Sequence, residues 1–174
     1  QPGTLAAWLG FHYAFAASIR WNDGDYGLAL VSKWPLVNVE RHRVGATDQG
    51  EPRIVLEAIV CVAGRPLHIL NHHADGLPAT RARSFADVQQ VIAATTGRGM
   101  LLVGDLNEDA DGPGIRALRA TGLVDLGEHE AVRTSNDGRI DYIFADHLLA
   151  RQASAVRVWQ TDKSDHHAVL IDLD

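Results

Sequence analysis

The chain has 174 residues, 46% of them hydrophobic and 22% charged, with 16 Lys and Arg against 22 Asp and Glu for a net charge of −6. That length supports one domain with its own core, and the composition excludes an intrinsically disordered chain. No apolar run reaches the roughly 18 residues of a membrane-spanning helix, and the single cysteine, Cys61, excludes an internal disulfide scaffold while leaving the redox compartment open.

In chain order, Thr4–Leu9 reads as a short helix and His12–Ala17 as a strand. Trp21-Asn22-Asp23-Gly24-Asp25 is turn chemistry, followed by a strand over Tyr26–Ser32 that Pro35 limits. Leu36–His42 is a further strand, and Gly45–Gly50 a loop. Arg53–Ala63 and Pro66–His72 form the clearest strand pair, a hairpin turning at Gly64. Pro78 to Ala94 is a helix: proline suits its first turn, and Phe85, Val88, Val91 and Ile92 recur at helical spacing. Met100–Val103 is wholly apolar, the signature of a strand inside a sheet covered on both faces. Pro113–Ala120 is a short helix stopped by Gly122, and Arg139–Phe144, Ala155–Gln160 and His167–Leu173 close the chain as strands. Hairpin strands with few helices imply an α/β fold in which two mainly antiparallel sheets pack face to face, with helices outside.

Four apolar strands end or begin in polar clusters: Asn71-His72-His73, Gly104-Asp105-Leu106-Asn107, Arg139-Ile140-Asp141-Tyr142 and Ser164-Asp165-His166-His167. Strand ends are where a rigid scaffold presents side chains into a cleft. His, Asp and Asn together suit a hard divalent cation and a phosphate ester under attack: carboxylates hold the ion, and imidazoles donate hydrogen bonds or protons. No serine stands in a nucleophile elbow, Cys61 is mid-strand, and no Walker-type glycine loop is present. Singly, each cluster has a plainer reading: Asp105 and Asn107 as turn residues, Asp141 as a structural acceptor, His72 as a core or surface histidine. Four independent coincidences are less economical than one site.

These motifs, with Tyr26-Gly27-Leu28-Ala29-Leu30-Val31-Ser32, occur in an order and spacing that resembles the endonuclease/exonuclease/phosphatase superfamily over nearly the whole chain. That group contains DNase I, apurinic endonucleases, sphingomyelinases and inositol polyphosphate 5-phosphatases. The resemblance implies a two-sheet sandwich with the site at one end and a Mg²⁺-dependent phosphoesterase, with Mn²⁺ as the alternative ion. It implies that Asp105 orients and deprotonates the attacking water, that Asn107 bonds the phosphoryl oxygen, and that His73 and His166 contact the scissile phosphate. Asp141 would orient His166, and Asp165 and Asp105 would hold the metal. His72 and His167 match no family role and read as structural or rim residues. In this superfamily an Asn-ending strand and a strand ending in a metal-binding Glu precede the position of Gln1, so residues 1–174 are expected to be one domain, N-terminally incomplete.

Three functional readings follow: a metal-dependent phosphoesterase, a module of the same fold that binds a phosphate ligand without turnover, and a zinc hydrolase built from the two His pairs and an Asp. The substrate class stays open among small molecules, nucleic acid and lipid head groups. The acidic balance and short loops favour a small or exposed phosphate ester over a wrapped duplex. Arg81, Arg83, Arg133 and Arg139 are candidates for a phosphate path, each singly read as solvated surface. Compartment and oligomeric state are not legible.

Overall fold

A computed structural model of the chain describes residues 1–45, 50–95, 99–129 and 133–174. Its elements in chain order are α1 (Pro2–Leu9), β1 (His12–Trp21), β2 (Gly24–Ser32), β3 (Leu36–Val44), β4 (Arg53–Val62), β5 (Arg65–His72), α2 (Pro78–Ala94), β6 (Met100–Asp105), α3 (Pro113–Arg119), β7 (Val124–Asp125), β8 (Asp141–Ala145), α4 (His147–Ala150), β9 (Arg157–Trp159) and β10 (Ala168–Leu170). Six strands form one sheet in the order β3-β4-β5-β6-β8-β7. Only β5 and β6 run parallel within it, and α2 connects them. The remaining four strands make two separate antiparallel pairs, β1-β2 and β9-β10.

The α/β layering expected from the strand and helix pattern is present, with one difference in detail. The large sheet is mainly antiparallel as expected, with one parallel pair, because a helical crossover of this length can return the chain to the same end of the sheet. The opposing layer is two short sheets rather than one: β1-β2 packs across β3, β4 and β5, whereas β9-β10 meets β8. Between the first pair lies a small apolar cluster of Ala16, Ile54 and Leu56 with Leu28 and Leu30. The larger core sits on the opposite face, where Val44, Val55, Leu70, Leu102 and Phe144 from the sheet meet Phe85, Val88 and Ile92 of α2 and Ile115 and Leu118 of α3. β6 lies between β5 and β8, as its unbroken apolar run predicts.

Element boundaries shifted for local reasons. Trp21 and Gly24 are paired, so the first turn shrinks to Asn22 and Asp23. Asn22 takes φ +51°, which asparagine tolerates and which matches the twist of a two-residue hairpin. β8 starts at Asp141 because Arg139 turns aside to pair with the buried carboxylate of Asp125. α4 and β7 are too short for periodicity to reveal; α4 is capped by the Asp146 carboxylate, which accepts from the Leu148 and Leu149 amides. Most of the loop expected at Gly45–Gly50 lies outside the described residues. Among the described residues no helix is long and apolar enough to cross a membrane.

Among the buried polar residues, one is a histidine. His72 is fully buried; its Nδ1–H donates to the Ile54 carbonyl at 2.8 Å, and Nε2 accepts from the Ser84 hydroxyl at 2.7 Å. A carbonyl only accepts, so the bonds fix a neutral imidazole protonated at Nδ1. Burial lowers its pKa from the ordinary 6.5 to about 4.

Two outcomes are expected. Leu102, completely buried between strands β5 and β8, should cost about 2–5 kcal/mol on truncation to alanine, read as a lower urea midpoint with an unchanged slope. Because the unfolded chain protonates His72 below 6.5 and the folded chain only near 4, stability should fall as pH drops through that window. The loss is about 3 kcal/mol from this residue, and His72→Gln should flatten that part of the curve in urea titrations between pH 7 and 4.

Candidate active site

The parallel pairing of β5 with β6 sends both strands out at the same edge. Asn71-His72-His73 and Gly104-Asp105-Leu106-Asn107 therefore emerge side by side. Gly104 makes the approach possible: at φ +137°, a Cβ there would lie 1.9 Å from the His72 carbonyl oxygen. Just beyond, the Ala74 amide donates to the Asp105 carbonyl at 2.9 Å, knitting the two exits together. β8 runs antiparallel to β6 with Asp141 directly opposite Asp105, so its first residue joins the same edge. The approach to β10 supplies His166, whose segment is held by the Thr134 carbonyl accepting from the His167 amide at 2.7 Å.

Asp105 is the centre of the group. Its Oδ1 accepts from the Asn107 amide at 2.9 Å, an Asx-type turn that sets Asn107 at φ +50°. Its Oδ2 lies 3.4 Å from His73 Nε2 and 3.9 Å from His166 Nε2. His166 Nδ1 in turn donates to both oxygens of Asp141, at 3.0 and 3.2 Å. Asn107 Nδ2 donates to the Ala74 carbonyl at 2.9 Å, which orients its amide. His73, Asp105, Asn107, Asp141 and His166, separate in sequence, thus share one strand edge.

The electrostatics push these groups apart. Burial raises the Asp105 pKa, and the charge of Asp141 adds to it, against the Asn107 amide and His73. Burial and the charge of Arg53 lower that of His73, favouring the neutral ring. Its Nε2–H then faces Asp105, and its Nδ1 is free to accept from the Tyr26 hydroxyl at 3.3 Å. His166 goes the other way. Burial opposes its charge, but the bond to Asp141 and the charges of Asp141, Asp105 and Asp165 outweigh it and raise the pKa. One imidazole is held neutral and the other poised to be cationic.

Asp105, Asp141 and His166 each offer a ligand atom within 4.8 Å of the others. The carboxylates of this group, rather than His166, suit a hard divalent cation, which commonly takes one or two carboxylates and fills its remaining positions with water or substrate oxygen. Asp105 Oδ2 is the oxygen not committed to Asn107. The Asp165 side chain is exposed, its carboxylate 3.4 Å from the Ser164 hydroxyl, and stands outside that group of three.

The remaining candidates keep their plainer readings except for two arginines. His72 has both ring nitrogens engaged in the core, which removes it from any metal set. His167 Nδ1 accepts from the Thr161 amide at 3.3 Å. Arg81 and Arg139 are not solvated: Arg81 bridges Glu108 and the carbonyls of Asp75 and Gly76, while Arg139 pairs with Asp125 and covers the Tyr142 ring at 4.5 Å. Arg133 bonds the Asn136 carbonyl, and Arg83 is exposed. Tyr26 meets the site through its hydroxyl on His73, a contact 47 positions along the chain that no local pattern signals.

A model of the endonuclease/exonuclease/phosphatase family matches residues 1–166. The chain belongs to that family. Among solved structures it is similar to a family member from Leptotrichia buccalis, at 18% identity and TM-score 0.77 over 94% of this chain and 71% of that one. It also resembles the Neisseria 3′ phosphatase NExo bound to a product DNA hairpin (20%, TM-score 0.76, 100% and 83%). A third is a mannosyl-6-phosphatase of Bacteroides thetaiotaomicron (20%, TM-score 0.72, 93% and 77%). No curated protein matches the sequence. At these identities the likeness establishes the fold, and with it the endonuclease/exonuclease/phosphatase architecture in which the polar edge of the large sheet sits.

Removing the charge of Asp141 should lower the pKa of His166, because its largest supporting interaction disappears. In Asp141→Asn the His166 imidazole resonances, followed by NMR titration, are expected to move to a lower midpoint, while those of His72 stay put. An unchanged His166 midpoint would contradict this electrostatic account.

Proposed function

We propose that the protein is a divalent-metal-dependent phosphoesterase whose working group is His73, Asp105, Asn107, Asp141 and His166. The observation that carries this reading is the meeting of Asp105 with both His73 and His166 at one strand edge, with Asp141 behind His166. Family membership and neighbours named as phosphatases support hydrolysis of a phosphate ester.

Asp105 holds and orients the attacking water and accepts its proton. The raised pKa makes it a better base than a solvated aspartate. Oxygen bonds to phosphorus in line as the ester bond breaks, and charge builds on the nonbridging oxygens. His166, whose cationic form Asp141 favours, the His73 Nε2–H and the Asn107 amide are donors fixed in advance around that charge. Asp141 acts through His166 and is a positioning residue. Mg²⁺ or Mn²⁺ would be held by Asp105, with Asp165 nearby at the rim, and when bound would acidify water and offset phosphoryl charge. The ester itself is read as small or exposed, in keeping with short loops.

The test is hydrolysis of bis-p-nitrophenyl phosphate, p-nitrophenyl phosphate and a 3′-phosphorylated oligonucleotide with Mg²⁺ or Mn²⁺. Activity is expected on at least one, abolished by EDTA, and reduced about 10²–10⁴-fold in Asp105→Asn and by a similar factor in His166→Ala. Asp141→Asn should lower kcat more than it raises KM. Tight binding of a phosphate ligand with no turnover would instead favour the non-catalytic module, and full activity in Asp105→Asn would overturn the assignment.

A further inference from the structure

A second group of metal-type donors lies on the large sheet, away from the candidate active site. Glu40 and His42 of β3 and Glu57 of β4 each present a ligand atom within 4.8 Å of the others. His42 Nε2 is 2.7 Å from Glu57 Oε2 and 4.0 Å from Glu40 Oε2. The group arises from strand register. Glu40 pairs with Glu57 and His42 with Val55, while Glu57 pairs with Leu70 of β5. Alternation therefore puts Glu40, His42, Glu57 and His68 on one face of three adjacent strands. Along β5, His68 lies about 13 Å before His72 at the active-site edge.

Like charges directly opposite across a strand pair, as Glu40 and Glu57 are, destabilise pairing unless something sits between them. His42 alone reaches both. A neighbouring imidazole beside Glu57 is also left unsatisfied. His68 Nδ1 is buried, lacks a hydrogen-bond partner among the described residues, and stands 3.8 Å from Glu57 Oε1, beyond bonding range. Glu57 is thus flanked by imidazoles from both neighbouring strands. Its side chain is 15% exposed, while that of Glu40 is 65% exposed, so the group has a fixed floor and a movable rim open to solvent.

We propose that Glu40, His42 and Glu57 form a Zn²⁺ site, with the His68 ring standing behind Glu57. Nitrogen together with carboxylate oxygen is a zinc donor set, whereas Mg²⁺ prefers oxygen alone. Ligands about 2.0–2.2 Å from a tetrahedral ion sit about 3.3 Å from one another. Seating an ion asks the His42–Glu57 pair to open slightly and the exposed Glu40 carboxylate to swing in. The open fourth position faces solvent. The ion would cross-link β3 to β4 and brace the carboxylate against β5, the strand that delivers His73.

Zn²⁺ binding is measured by equilibrium dialysis and by thermal shift on Asp105→Asn/Asp141→Asn, which removes the acidic donors of the active-site group. One equivalent of Zn²⁺ is expected to bind and to raise Tm, with millimolar Mg²⁺ failing to displace it. Adding His42→Gln should abolish binding. Adding Glu40→Gln, a surface change that leaves the fold intact, should weaken it at least about tenfold and reduce the Tm shift in step. The absence of Zn²⁺ binding in the double variant, or binding unaltered by Glu40→Gln, would overturn the proposal.

Discussion

The parallel pairing of β5 and β6 governs the whole arrangement. Two strands running the same way, joined by α2 across one face, must leave the sheet at one edge. Their polar tails, His73 from one and Asp105 from the other, are then neighbours without any loop having to carry them together. An antiparallel pair would have put those tails at opposite ends of the sheet. Gly104 lets the backbones come close enough at the exit, and β8, antiparallel to β6, begins where β6 ends, which adds Asp141.

Burial then divides the ionisable groups into different protonation states. The floor of the site is the same core that α2 packs against: His72 belongs to that core and is neutral, while its neighbour His73 stands half a step out, in contact with Tyr26 and Asp105. The desolvation that lowers the His73 pKa also raises that of Asp105. His166 escapes because it approaches from the opposing layer and carries its own carboxylate partner. A shared dielectric environment with unequal partners pushes one carboxylate pKa up, one imidazole toward its neutral form and the other toward its cation.

Periodicity carried most of the fold, since burial on a face writes itself into the chain. α2 begins at Pro78 and ends at Ala94 as the spacing of Phe85, Val88, Val91 and Ile92 indicates, and the β4–β5 hairpin turns at Ala63 and Gly64. Elements held by single interactions were not visible: α4 rests on the Asp146 cap, and β7 on two pairings with β8. Arg81 and Arg139 illustrate the same limit. Lone arginines read as solvated, yet each is drawn inward by an acidic partner, Glu108 or Asp125, that lies far along the chain or across a turn.

The amino-acid sequence by itself determined the α/β class, the order of the main elements and the set of polar strand ends, because each depends on local pattern and on motif order. Family membership follows from the same linear information. The tertiary structure alone decided which of those polar residues meet, through strand direction and register. It separated His73 from the adjacent His72, one facing the site and the other locked between Ile54 and Ser84, because successive residues of a strand point to opposite faces. It also drew together Glu40, His42, Glu57 and His68, which no motif links. Cross-strand neighbours are set by pairing between distant segments, and nothing local in the chain encodes that distance.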